Sequence, residues 1–545
     1  MASADPILTA ARQVFGFRAL RPGQREAVES VLGGRDTLAV LATGGGKSAI
    51  YAVAGHLLQG PTLVISPLIA LQHDQLAALQ GRASAVAINS GSTARQHREA
   101  LERLADGRPD YVFLAPEQLA NSEVLHEIAR MRPVLLAVDE AHLVSQWGPD
   151  FRPDYLRIGQ AAEAIGRPVI LALTATAAPS VREEIIRRLG MRDPSVMIRG
   201  FARPNIHLAV HSYFTDEAHK LEVIGHDVME AAGNKGHGIV YGATHKRVET
   251  LAKQWRSRGL RAAAYHAGLP ASQRLEVEDR FRHGDLQVVV ATIAFGMGVD
   301  KPDIRWVFHA DVSGSVDEYY QEIGRAGRDG AHADAVLYYR LEDLRLPRMY
   351  ASSSGPSVES LRALATALAG QHGPTDLIEI RQRTDLSRQR IGSTAMALAD
   401  ADGVTIDADG RVTVTGDLDE AVAKAVEMIH DRRVIERTRT ETMGAYAEQL
   451  GCRWKFLLEY FGEPAPDRCG HCDNDELATP LADEDSAPHP FPRGSRVRHR
   501  VFGEGEVVGY PGPRILLAFD SAGYKSLDLG LVRDGGLLEK VDETG

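Results

Sequence analysis

A chain of 545 residues has room for three or four domains at ~150 residues each. Its 44% hydrophobic, 25% charged and 6% aromatic residues are those of a globular protein, which excludes global disorder and a collagen-like chain. With 62 Lys and Arg against 73 Asp and Glu the net charge is −11, so the chain is not a wholly basic nucleic-acid coat, although a local basic groove can sit on an acidic protein.

The N-terminus, MASADPILTAARQVFGF, lacks a basic start followed by a long apolar run, and no segment approaches ~18 uninterrupted apolar residues. A cytoplasmic protein without a membrane contact is expected. From about 36 to 340, short apolar runs alternate with helical stretches. The runs are TLAVLA (37–42), TLVISP (62–67), YVFLAP (111–116), VLLAVDE (134–140) and VILALTA (169–175), then GIVYGAT (238–244), VVVAT (288–292), WVFHAD (306–311) and AVLYY (335–339). Unalternated Val/Ile/Leu runs predict parallel strands covered on both faces, and the helices between them make βαβ series. The expected fold class is α/β, with one lobe over 1–204, a second over 205–345, and RGFARPN (199–205) as their joint.

The first run leads into Ala42-Thr43-Gly44-Gly45-Gly46-Lys47-Ser48 and then a helical stretch. Glycines let backbone N–H groups close around phosphate oxygens, and the helix N-terminus adds partial positive charge. Lys47 can reach the β- and γ-phosphates of a nucleotide, and Ser48 can ligate Mg²⁺. Leu41 stands where the usual pattern has its first glycine. Asp139-Glu140-Ala141-His142 ends the run VLLAV, and strand C-termini in a parallel sheet line the ligand crevice. Asp139 there can hold Mg²⁺, and Glu140 can orient and deprotonate a water. In Gln321-Glu322-Ile323-Gly324-Arg325-Ala326-Gly327-Arg328, Arg325 and Arg328 share a helical face and suit the charge on a transferred phosphoryl group. A nucleotide between the two lobes follows.

Beyond the second lobe, Leu361, Leu364 and Leu368 mark a helix; helical stretches at 376–384 and 387–399 and an alternating pair about Asp409-Gly410 complete a winged-helix-like insert over 356–417. A helical pair over 424–478 runs into the three cysteines, an odd clustered set that predicts metal rather than disulfides. An acidic linker over 479–490 precedes a glycine-punctuated tail over 491–545, expected to be a small bent β-barrel.

These motifs in this order resemble the superfamily-two helicases, and in detail the RecQ family, over roughly 10–345 and 424–475. The resemblance makes both lobes RecA-like and the nucleotide ATP. Phe15-Gly16-x-x-x-Leu20-Arg21-x-x-Gln24 resembles the family's adenine-reading motif, with Leu20 where an aromatic is usual. It implies that Phe17 stacks near the base and that Arg21 and Gln24 contact it; a Gln amide carries the donor and the acceptor that adenine needs. DEAHLVSQWGPDFRPDY (139–155) resembles the aromatic-rich loop that binds single-stranded DNA and couples it to the ATP site. Trp147 and Phe151 would stack on bases for ~1–3 kcal/mol each, and Arg152 would meet a phosphate; Pro149 departs from the pattern. LTATA (173–177) resembles the motif that couples hydrolysis to lobe closure.

Cys452-x₁₆-Cys469-x₂-Cys472-x₂-Asp475 resembles the family's zinc site with Asp475 in place of the fourth cysteine; His471 is the alternative ligand. The tail VRHRVFGEGEVV (497–508) is similar to the SH3/Tudor-like C-terminal domain of UvrD-type helicases. Its arginines 493, 496, 498, 500 and 514, against Glu504 and Glu506, fit DNA or a protein partner. The expected protein is a monomeric ATP-dependent DNA helicase using ATP, Mg²⁺ and Zn²⁺. It would move 3′→5′ on single-stranded DNA, open partly duplex DNA, and serve repair and recombination. The rivals are an RNA helicase or non-unwinding translocase, and a DNA-binding scaffold with a vestigial ATPase fold.

Overall fold

The computed structural model describes residues 5–42, 46–67, 69–89, 94–106, 109–144, 155, 157–213, 217–234, 236–296, 301–353, 355–371, 373–407, 411–477, 490–492, 494–509, 514–519 and 523–541. Thirteen strands make two wholly parallel sheets. The first holds β1 (Thr37–Leu41), β2 (Thr62–Ile65), β3 (Ala85–Ile88), β4 (Tyr111–Leu114), β5 (Leu135–Val138), β6 (Val169–Thr174) and β7 (Ser195–Arg199), in the order β3-β4-β2-β5-β6-β1-β7. The second holds β8 (Ile206–Ser212), β9 (His237–Tyr241), β10 (Ala262–Tyr265), β11 (Val288–Ala291), β12 (Ile304–His309) and β13 (Ala333–Tyr339), in the order β10-β11-β9-β12-β13-β8. β1, β2, β4 and β5 are buried at every residue, as strands roofed by helices on both faces must be. The joint expected near 199–205 is the connection from β7 to β8.

Every run read as a strand is one. Four strands were not expected: β3, β7, β8 and β10. They are the four outer strands of the two sheets. β7, SVMIR, is half exposed along its length, and β10, AAAY, is built of a residue type with weak strand preference.

After the second sheet come helices Val358–Leu368, Leu377–Arg383 and Arg388–Asp400, then the antiparallel pair β14 (Val404–Ile406) and β15 (Val412–Val414). Leu361, Leu364, Ile380, Ile391, Leu398 and Val412 form a separate core there. This is the helix, helix–turn–helix and hairpin order expected; the Asp409-Gly410 turn lies outside the described residues. A 31-residue helix, Leu418–Glu448, leads to helices Arg453–Tyr460 and Asp473–Leu477, which carry the cysteines at their ends. The tail is an antiparallel five-stranded sheet of β16 (Arg496–His499), β17 (Gly503–Gly509), β18 (Arg514–Phe519), β19 (Gly523–Asp528) and β20 (Leu538–Lys540). Its order is β19-β18-β17-β16-β20, in which the last strand returns beside the first. Among the described residues no helix is long and apolar enough to cross a membrane.

One core runs continuously from the first lobe through the second to the cysteine-bearing helices. On the far face of the second sheet a separate cluster packs around Trp255 and Trp306, both fully buried. Trp306 sits directly over Gly238 and donates its indole N–H to the Gly236 carbonyl at 3.0 Å; a Cβ on Gly238 would lie 2.0 Å from the ring. Gly238→Ala is therefore expected to lower stability by ~1–3 kcal/mol through overpacking, and pairing it with Trp306→Phe should recover part of that in thermal melts.

Candidate nucleotide and metal sites

The strand ends of the first sheet assemble the nucleotide site. β1 delivers the glycine-rich turn, β5 delivers Asp139 and Glu140, and β6, hydrogen-bonded between them, delivers Thr174 and Thr176. Thr43, Gly44 and Gly45 lie outside the described residues. Gly46 is left-handed, at φ 69°, and Ser48 opens the helix Ser48–Leu58. Lys47 is half-buried and near enough to Asp139 for its charge to act on that carboxyl.

Gln24 is buried, and both ends of its amide are held by backbone. Its oxygen accepts from Arg21 N at 2.7 Å and its nitrogen donates to the Gly46 carbonyl at 2.9 Å. The residue expected to read adenine is thus bonded to the end of the glycine-rich segment at Gly46. Phe17 is half-buried, with its ring 6.0 Å from that of Phe15. Arg21 is exposed.

Asp139 is 6% exposed. Burial first, and then the Glu140 charge, push its carboxyl up to about 6, while Lys47 and the Glu140 backbone N–H at 3.0 Å pull it down. Gln75 reaches its other oxygen at 3.5 Å, and Tyr155 donates to the Asp139 carbonyl at 3.1 Å. Neither Gln75 nor Tyr155 was singled out from sequence, since only the fold brings them to Asp139. Glu140 takes a left-handed backbone, φ 48°, which turns the chain sharply off the strand.

A hydrogen-bonded path begins at His142, beside this carboxylate pair. His142 Nδ1 lies 3.4 Å from Glu140 and 2.9 Å from the Thr174 hydroxyl. Thr174 donates to the Thr176 carbonyl at 2.9 Å, so His142 must carry its proton on Nδ1 to donate to Thr174. The Thr176 hydroxyl accepts from Gln321 Nε2, on the second lobe, at 2.9 Å. The path thus joins the Asp-Glu pair to the segment that bears the two arginines. Gln321 begins that segment but had been given no role; its partner lies 145 residues away along the chain.

Arg325 is buried and donates to the Gly296 carbonyl inside the second lobe; Arg328 is half-buried. Trp147, Phe151 and Arg152 lie outside the described residues. Val144 and Tyr155, the described residues on either side of that segment, are fully buried, and Tyr155 is the one bonded to Asp139.

The second site is the cysteine cluster. Sulfurs of Cys452, Cys469 and Cys472 and an oxygen of Asp475 all lie within 4.8 Å of one another. A tetrahedral zinc with bonds of ~2.3 Å asks for ligand atoms about 3.8 Å apart, so the set fits that ion. Asp475 is oriented by the Cys469 and Gly470 N–H groups at 2.7 and 2.9 Å. His471 is tied to the Cys469 carbonyl through Nδ1 at 2.7 Å and stands outside the cluster. Hydrogen bonds from Cys452 and Cys469 hold the Cys472 thiol far below its usual range, which favours a thiolate there.

Three family models match the chain: DEAD/DEAH box helicase over residues 21–185, helicase conserved C-terminal domain over 219–330, and RecQ zinc-binding over 419–476. The probable ATP-dependent DNA helicase RecS of Bacillus subtilis is 33% identical over 499 residues, spanning 90% of this chain and 96% of that protein. The ATP-dependent DNA helicase RecQ of Pasteurella multocida is 41% identical over 61% of this chain, but the match spans only 51% of that protein. Among solved structures, the DUF1998 helicase MrfA bound to DNA and AMPPNP shares the fold over 64% of this chain and 52% of its own, with a TM-score of 0.53 at 20% identity. The Mycobacterium smegmatis helicase Lhr bound to single-stranded DNA and AMP-PNP does so over 81% and 63%, with a TM-score of 0.52 at 20% identity.

The raised Asp139 carboxyl gives a signed expectation. Its folded value of about 6 exceeds the ordinary 3.8, so the nucleotide-free protein binds the proton more tightly than the unfolded chain does. Stability is lost as pH rises from about 4 to 6, and the penalty is complete at pH 7. Asp139→Asn should remove this slope and stabilise the nucleotide-free chain at pH 7 by up to ~3 kcal/mol, read from unfolding curves at pH 5 and pH 7.

Proposed function

The chain belongs to the RecQ family of ATP-dependent DNA helicases, and from that premise we propose that it moves 3′→5′ along single-stranded DNA, opens duplex DNA as it goes, and serves repair and recombination. The observation that carries this reading is the hydrogen-bonded path from His142, whose Nδ1 lies 3.4 Å from Glu140, through Thr174 and Thr176 to Gln321. It links the hydrolytic pair on one lobe to the arginine segment on the other, as a motor that converts turnover into lobe movement requires.

In this mechanism the turn at 43–46 and Lys47 grip the ATP phosphates, and the Gln24 amide ties adenine recognition to that grip. Ser48 and Asp139 would hold Mg²⁺, which neutralises phosphate charge when bound. Glu140 takes a proton from the attacking water, and the left-handed turn at this residue sets its carboxylate apart from that of Asp139. Arg325 and Arg328 come from the second lobe to meet the developing phosphoryl charge; Arg325 first has to leave the Gly296 carbonyl. An arginine supplied in this way is worth ~10³–10⁵ in rate. Trp147, Phe151 and Arg152 engage the strand, and Tyr155 anchors their loop to Asp139, so an occupied loop biases the hydrolytic site directly. Opening each base step costs ~1.4 kcal/mol.

Cys452, Cys469, Cys472 and Asp475 would hold zinc, with Asp475 as the oxygen ligand. Metal binding at such a site contributes directly to folding of its helices.

ATPase assays with single-stranded DNA and RNA, together with unwinding of duplexes bearing a 3′ or a 5′ overhang, test the reading. Stimulation by DNA and opening of the 3′-tailed duplex are expected; Lys47→Ala should abolish turnover yet keep DNA binding, and Trp147→Ala should cut stimulation more than basal rate. Equal activity on RNA, or turnover indifferent to strands, would overturn it. For the metal, Asp475→Ala should reduce bound zinc by elemental analysis and lower the melting temperature, and Asp475→Cys should restore both.

A further inference from the structure

The joint between the lobes lies between the two matched helicase stretches, the first ending at residue 185 and the second starting at 219. Three of its residues reach the segment that carries the two arginines. The Phe201 carbonyl accepts from the Tyr320 hydroxyl at 2.8 Å. Arg203 donates to the Gly324 carbonyl at 3.3 Å through one terminal nitrogen, and to the Ala326 and Gly327 carbonyls at 2.8 and 3.0 Å through the other. The Asn205 amide donates to the Gly327 and Ala331 carbonyls at 2.8 and 2.9 Å.

Helix Val316–Ile323 ends just before Gly324, and the chain then turns through 324–329, so the carbonyls there lie outside the helical ladder. A guanidinium presents its donors in a fixed planar fork that can meet several carbonyls at once, and the end of a helix favours a cation. The approach is close: Gly327 is left-handed, at φ 54°, and a Cβ on it would collide with the Asn205 amide nitrogen and the Ala331 carbonyl. The held positions 324, 326 and 327 interleave with Arg325 and Arg328, so the backbone that projects both side chains is pinned from the joint. Hydrogen bonds from an ionised donor are roughly twice as strong as neutral ones, so this hold is firmer than the Gln321 bond to Thr176. Arg203 is half-buried, and Arg21 of the N-terminal motif is near enough for its charge to act on it.

From this placement we infer that Arg203 and Asn205 are positioning residues for ATP hydrolysis: they fasten the arginine segment to the joint, so that rotation at the joint carries Arg325 and Arg328 to the phosphoryl group as one body. Both act through the backbone they hold. Misplacing a catalytic group by about 1 Å can cost ~10² in rate, so a chain with a loosened segment would bind ATP normally and turn it over slowly. The inference rests on the reading of Arg325 and Arg328 as the residues that meet the developing phosphoryl charge, and it adds what aims them.

The test compares Arg203→Gln with the parent, as full chains in the presence of single-stranded DNA. The kcat for ATP should fall at least about tenfold, while KM and the affinity for a non-hydrolysable ATP analogue stay within about twofold. Capture of ADP with aluminium fluoride, which mimics the transferring phosphoryl group, should weaken by about the same factor as kcat. Arg203→Lys keeps the charge but not the fork and should recover only part of the loss. If Arg203→Gln melts early, Asn205→Ala, which removes two of the bonds, gives the same split at smaller amplitude. An equal loss of analogue binding and of capture overturns the inference, because it marks general packing rather than aim. Arg328→Ala is the control. A loss of turnover there with none in Arg203→Gln overturns the inference alone; an Arg328→Ala chain as fast as the parent defeats the arginine reading, and the inference with it.

Discussion

A single neutral hydrogen bond, from Gln321 Nε2 to the Thr176 hydroxyl, carries the nucleotide site's hydrogen-bonded path across the seam between the lobes. Such a bond contributes ~1 kcal/mol net, because breaking it returns both groups to water. That small value would suit a contact that forms and breaks as the two lobes move. A buried ion pair in the same place would hold the lobes shut or leave a stranded charge on opening. The first-lobe groups of the path are all buried, Thr174 fully, Thr176 at 3% and His142 at 5% exposed, and Gln321 on the second lobe is half-buried.

The cysteine-bearing helices pack on the second sheet, on the joint and on the first lobe. They close the open edge of the second sheet: Cys472 bridges to Leu208 on β8, Asp473 accepts from Val210 N at 2.8 Å, and Trp454 donates to the Ile206 carbonyl at 3.1 Å. An outer strand offers unpaired backbone groups, and here those groups are met by side chains rather than by another strand. The same helices reach the joint and the first lobe. Glu463 accepts from Gly200 N and Phe201 N, Phe201 stacks on Phe461 at 4.5 Å, and Arg182 donates to the Phe461 carbonyl at 3.1 Å. A metal held by the cysteine cluster would therefore sit on the helices that meet the joint.

The sequence was legible where burial is complete. Central strands covered on both faces must be continuous apolar runs, and each such run was read correctly. The four outer strands were missed for the complementary reason. β8, IHLAVHS, has histidines where a side chain faces a neighbouring unit or solvent, and β10 is alanine-rich, so neither shows the apolar density that identifies a roofed strand. The nucleotide site divides in the same way. Residues bound to a local motif (Lys47, Ser48, Asp139, Glu140) can be expected from sequence because their chemistry depends on their immediate neighbours. Gln75, Tyr155 and Gln321 cannot, because their partners are set by tertiary contact. The fourth metal ligand is intermediate: spacing left Asp475 and His471 open, and it is an Asp475 oxygen that lies with the three sulfurs within 4.8 Å.

The nucleotide site combines two kinds of force, and the division explains how one event is both strong and reversible. At its centre, burial and the Glu140 charge together raise the Asp139 carboxyl, which favours its neutral form. A cation held beside it would favour the charged form instead, an electrostatic signal at that carboxyl. The path outward consists of hydroxyls, an imidazole, a carbonyl and an amide, which carry little net charge. They cannot store the signal, but they can change partners cheaply in response to it. A charged path would have coupled the lobes too tightly to reopen, and an uncharged centre would have left nothing to transmit.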